Sequence, residues 1–111
     1  MRIAIPIMQD NEEAEISPHF GRAPFFAIFD SETKEISFIK NTSEHFGGHG
    51  KPAEVIAEQK PDIVFALDMG SKAIAVFESY NIKVKTGECL TLKDVIDSKD
   101  MLDELESSCG H

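Results

Sequence analysis

Four histidines and two cysteines hold the imidazole and thiolate donors of this 111-residue chain. His19, His45, His49 and Cys89 fall between apolar runs, while Cys109 and His111 close the sequence. Imidazole and thiolate are the borderline and soft donors that iron and zinc accept. Any one of these residues is equally readable as an ordinary loop side chain. Their grouping outside the apolar runs is what suggests shared work, because loops on a rigid scaffold commonly carry function.

Residues 43–51 read Ser-Glu-His-Phe-Gly-Gly-His-Gly-Lys. Gly47, Gly48 and Gly50 let a backbone approach a ligand closely. Pro52 then suits the first turn of a helix, whose unpaired N–H groups favour an anion. The same stretch is also a plain flexible entry to a helix. It is not a phosphate loop: Gly50-Lys51 is followed by Pro52 rather than Ser or Thr, and position 45 is His where that motif needs Gly.

Residues 17–26, Ser-Pro-His-Phe-Gly-Arg-Ala-Pro-Phe-Phe, are the most distinctive. Pro18 and Pro24 stiffen both ends of a turn and Gly21 permits tight geometry between them. Arg22 either balances an anionic ligand or pairs with a local carboxylate.

These segments must be held by regular elements. Strands are predicted over 2–8, 25–29, 35–40, 62–67 and 82–85, with Pro6 marking the end of the first or a bulge within it. Residues 10–15 read as an acidic loop. Helices are predicted over 52–59, stopped by Pro61, and over 71–80 after Gly70. Thr91 with Asp94 resembles a capping box that opens a third helix, and the apolar phase slips near Ser98 before Leu102 and Leu105. Lys83 and Lys85 suit a sheet edge. A short turn joins strands two and three, implying a hairpin; the β-α-β units imply parallel strands with right-handed crossovers. The result is a mixed five-stranded sheet with helices on its faces. One edge collects loops 9–24, 41–51, 68–70 and 86–90, and the carboxyl edge is where open α/β sheets bind ligands.

Composition narrows the choices. Twenty acidic against eleven basic residues give a net charge of −9, which repels nucleic acid and anionic lipid. No apolar stretch approaches the roughly 20 residues of a membrane-crossing helix. The first residues lack a signal peptide's apolar region, so the cytoplasm is the expected compartment. Two cysteines make no disulfide framework. One domain over 1–97 and an acidic tail over 98–111 account for the length.

The 17–26 segment, the N-terminal Arg2-Ile3-Ala4-Ile5-Pro6 strand and the Gly-His loop before a helix resemble the dinitrogenase iron–molybdenum cofactor biosynthesis family. The resemblance extends to about residue 97. It implies a ribonuclease-H-like three-layer α/β/α fold, with sheet order 3-2-1-4-5 and strand 2 antiparallel. It also implies transient binding of an iron–sulfur-type cluster or another iron-containing metallocofactor, with His19 as the ligand carried over. One departure is visible: Leu67-Asp68-Met69-Gly70-Ser71 keeps a single glycine where family members have a glycine-rich turn.

The expected function is therefore non-catalytic binding or carriage of such a cofactor at the carboxyl edge, in exchange with a cofactor-assembly or acceptor protein. The expected cofactor-binding residues are His19, Phe20, Gly21, Arg22, Gly47, Gly48, Gly50 and Gly70. The expected metal ligands are His19, His45, His49 and Cys89, with Cys109 and His111 as tail candidates. The alternative is a regulatory or protein-interaction module using the same edge without metal. A two-metal nuclease is disfavoured because the first strand carries no acidic residue. A serine hydrolase lacks its G-x-S-x-G elbow.

Overall fold

A computed structural model describes residues 1–41 and 52–105. In chain order the elements are β1 (Arg2–Ile7), a 3₁₀ turn (Phe20–Arg22), β2 (Phe25–Asp30), β3 (Glu35–Lys40), α1 (Pro52–Ala57), β4 (Ile63–Phe65), α2 (Ser71–Ser79), β5 (Lys83–Thr86), α3 (Leu92–Asp97) and β6 (Asp103–Glu104). They form an α/β fold around one mixed sheet in the order β3-β2-β1-β4-β5-β6. β1 runs antiparallel to β2 and parallel to β4, and β4 runs parallel to β5.

Strand alternation sorts the core into two layers. Ile3, Ile5 and Ile7 of β1 face one side, with Phe29, Phe65 and the α3 residues Leu92 and Val95. Ala4, Phe26, Ile28 and Val64 face the other, with Ile56 of α1 and Ile74 and Phe77 of α2. One helix therefore covers one face and two helices cover the other.

Among the described residues the sheet has six strands, not the expected five. After α3 the chain turns at Ser98, whose carbonyl accepts from the Met101 N–H at 2.8 Å, and β6 pairs antiparallel with β5. Leu102 enters the α3-side layer and Leu105 packs on the α2 side. Their odd separation puts them on opposite faces of an extended chain, which explains the slip in apolar phase. β5 is accordingly an interior strand; Lys85 lies opposite Glu104 rather than on a free edge.

Pro6 lies inside β1, but it ends a ladder. The β1–β4 pairing stops at Ala4–Val64. Beyond it the Pro6 carbonyl accepts from the Ser17 N–H and the Met8 N–H donates to the Glu15 carbonyl, both at 2.9 Å. The ribbon of residues 15–17 must lie on the β4 side of β1, because β2 pairs along the whole other side. Across the ribbon, the Ile16 N–H donates to the Leu90 carbonyl at 2.9 Å, and Glu15 forms a bridge with Thr91. Part of the expected acidic loop is thus a strand-like insert continuing the line of β4. Ala14 and Ile16 are buried below it.

The capping box of α3 is formed as expected. The Thr91 hydroxyl accepts from the Asp94 N–H at 3.2 Å, and Asp94 Oδ2 accepts from the N–H groups of Leu90 and Thr91. Those two backbone bonds hold the Asp94 carboxyl below its ordinary value. Thr91→Ala is expected to cost about 1 kcal/mol in denaturant unfolding. Because the Asp94 pKa is depressed in the native state, its contribution is complete above the ordinary carboxylate range and lost as pH falls through the native value. The stability gap between wild type and Asp94→Asn should therefore close on acidification; a gap that persists at the lowest pH would refute this role.

Candidate functional site

The insert determines where the neighbouring loops go. With its line taken by residues 15–17, the chain leaving β4 turns toward the two-helix face, where Ala66 and Met69 are buried. The chain leaving the insert follows it. Ser17, 3% exposed, donates its hydroxyl to the His19 carbonyl at 3.1 Å. The Phe20 N–H reaches the Asp68 carbonyl at 3.4 Å. Phe20 then packs its ring against Phe26 and Phe77, with centroids 5.1 and 5.6 Å away, the second contact edge-to-face. Tilted and edge-on contacts are the favoured aromatic geometries, so Phe20 anchors the 3₁₀ turn onto the core.

Phe20 and Gly21 form one wall of a groove of about 360 Å³ at the carboxyl edge. Pro52, Ala53 and Glu54 at the start of α1 form a second wall; Met69, Gly70, Lys72, Ala73 and Val76 form the third. Its size is that of a small-molecule site. Gly70 is the N-cap of α2, with φ −68° and ψ 157°, and supplies no side-chain cap. A Cβ on Gly21 or Gly70 would meet no atom within 4 Å, so neither glycine is demanded by local packing.

His19 stands beside this groove rather than in its wall. Its side chain is 62% exposed, and its Nδ1 lies 3.9 Å from Asp68 Oδ2. Arg22 is exposed, and no carboxylate lies within 4 Å of its guanidinium among the described residues. The local-pair reading of Arg22 therefore has no support there. His45, His49, Gly47, Gly48, Gly50, Cys109 and His111 lie outside the described residues.

Cys89 does not join His19. It is 3% exposed and sits in the α3-side layer with Ile3, Phe65 and Leu92, whereas Phe20 belongs to the opposite layer. Burial pushes its thiol pKa up, opposed in part by the Ser98 hydroxyl and reinforced by Asp94. A protonated, buried thiol is a poor ligand and nucleophile. Among the described residues, no group of three His, Cys, Asp or Glu is placed to hold a metal ion.

The sequence reading missed most of the α1 and α2 wall. Lys72 and Val76 lie one helical turn apart beside the inward Ala73, a stripe that looks like ordinary helix surface until α1 packs alongside. Asp68 was also missed as the neighbour of His19.

A family model described as dinitrogenase iron–molybdenum cofactor matches residues 1–99. The chain belongs to this family. An uncharacterised protein of Methanocaldococcus jannaschii is 34% identical over 102 residues, spanning 86% of this chain and 82% of that relative. The apo form of the orange protein from Desulfovibrio gigas has a TM-score of 0.85 at 22% identity, covering 96% of this chain and 93% of that one. A putative NifB protein from Thermotoga has a TM-score of 0.78 at 23% identity, covering 94% and 92%. At such identities these two structures establish the α/β fold and nothing finer. No helix among the described residues is long and apolar enough to cross a membrane.

In a Cys109→Ser background, Cys89 of the native protein should resist alkylation at neutral pH and react at once in denaturant. Rapid native labelling would contradict its placement in the core.

Proposed function

We propose that this protein binds and hands on an iron-containing metallocofactor of iron–sulfur type at the carboxyl-edge groove, without catalysing a reaction. The observation that carries this reading is the groove itself: an apolar cleft, walled on one side by Phe20, with His19 beside it and glycine at two of its walls. The family membership agrees with it.

The cofactor is cargo in this reading, not a resident group. His19 supplies a nitrogen ligand. The Asp68 carboxylate lies 3.9 Å from Nδ1, beyond hydrogen-bond distance, and places a negative charge beside the ring. Phe20, Met69 and Val76 exclude water from the bound face. The uncapped start of α2, Lys72 and Arg22 offset negative charge on the cargo. Gly21 and Gly70 leave space a side chain would occupy. His45 and His49 remain proposed ligands on sequence grounds, supplied by the segment that leads into the Pro52 wall together with Gly47, Gly48 and Gly50. Cys89 is left out because of its burial. The ribonuclease-H-like assignment of the fold goes with this reading, supported by the antiparallel second strand and the helices on both faces.

One weak ligand set gives reversible binding, which suits transfer to an assembly or acceptor protein better than permanent redox work. Anaerobic incubation with iron and sulfide, or with a purified iron–sulfur cofactor, should produce visible charge-transfer absorption. His19→Ala should weaken uptake by about tenfold, roughly 1.4 kcal/mol, without changing the unfolding midpoint. Absence of any absorption in the wild type, or equal uptake by the variant, would overturn the proposal.

A further inference from the structure

Six large apolar side chains are exposed among the described residues, and three of them share the carboxyl edge: Met8 at 41%, Leu67 at 37% and Leu90 at 78%. The ribbon of residues 15–17 explains their proximity. Met8 donates its N–H to Glu15 on one side of the ribbon, and Leu90 accepts from the Ile16 N–H on the other. Adjacent strands lie about 4.8 Å apart, so Met8 and Leu90 are two strand spacings from each other. Leu67 leaves β4, whose line the ribbon continues, one residue before the Asp68 that neighbours His19.

The segments that carry Met8 and Leu90, residues 8–16 and 88–91, are charged in one sense. Asp10, Glu12, Glu13, Glu15 and Glu88 are exposed around Met8 and Leu90, and none has a Lys or Arg partner within 4 Å among the described residues. The basic positions of this edge, Arg22 in the 3₁₀ turn and Lys72 and Lys93 in the first turns of α2 and α3, lie outside those two segments. An apolar centre with a polar, charged rim is the anatomy of a protein interface. A second copy would bring the same carboxylates against these, and like charges juxtaposed across an interface are costly.

We infer that Met8, Leu67 and Leu90 form a docking surface for a basic partner protein, one that presents an apolar anchor ringed by lysine or arginine. The inference rests on the carriage reading for its purpose: a partner seated there lies beside His19 and the groove mouth, where cargo would change hands. Met8 and Leu90 supply the apolar contact. The five carboxylates set orientation and speed encounter, so binding weakens with salt.

The test uses the full-length, metal-free, isotope-labelled protein, so its outcome does not depend on cofactor uptake. The probe is a short amphipathic helical peptide of leucine and lysine, compared with a scrambled, non-amphipathic peptide of the same composition. Amide shifts should concentrate at residues 8–16, 67–68 and 88–91. The double variant Met8→Ser, Leu90→Ser should bind the amphipathic peptide about tenfold more weakly and the scrambled peptide unchanged. Shifts spread evenly over all acidic segments, including Asp97, Asp100 and Asp103, would overturn the inference, as would an unchanged affinity in the variant. Concentration-dependent shifts of the same residues without peptide would replace the basic partner with a second copy. Failure of cofactor uptake with a positive titration would remove the carriage reading and leave the docking surface standing.

Discussion

The insertion of residues 15–17 between β1 and the chain after β5 is the constraint on which the rest of the molecule depends. Pro6 has no N–H, so β1 cannot continue its parallel ladder with β4 past Ala4. A free carbonyl at Pro6 and a free N–H at Met8 would be costly to bury. The ribbon satisfies both, and Leu90 satisfies its far side through Ile16. Three segments distant in sequence are thereby fastened in the space of three residues.

That fastening divides the labour of the two faces. The α3 side receives Ala14, Ile16 and Cys89 and becomes a closed, dry layer. The two-helix side receives Phe20, Ala66 and Met69, and among the described residues it carries a groove at its carboxyl end, between the starts of α1 and α2. A groove beside His19 is where a ligand can enter. Cys89, on the closed side, is separated from His19 by the sheet.

Much of this was legible in the residues. Thr91 and Asp94 announced their cap, and the apolar runs located every strand from β1 to β5. Of the loops expected at the carboxyl edge, those over 9–24, 68–70 and 86–90 followed from strand direction alone. Other features needed packing to appear. Leu102 and Leu105 read only as a slip in apolar phase within an acidic tail, because a two-residue strand is too short to show alternation. Ala14 and Ile16 do alternate with Glu13, Glu15 and Ser17, yet three positions among carboxylates read as loop. Cys89 sits in a loop by sequence, and its burial depends on a layer assembled from distant residues, among them Ile3, Phe65, Leu92 and Leu102. The groove walls on α1 and α2 have no local signature, since they depend on how two helices lie side by side.

Amide hydrogen exchange at Ile16 and Ser17 tests the central constraint most directly. Both N–H groups are bonded to backbone carbonyls at 2.9 Å within an otherwise loop-like stretch. Their protection is expected to match that of the interior amides of β1, because the ribbon opens only when the sheet does. Exchange at the rate of an open loop, with β1 still protected, would show that residues 15–17 are not part of the sheet, and the positioning of His19 and the groove would lose its cause.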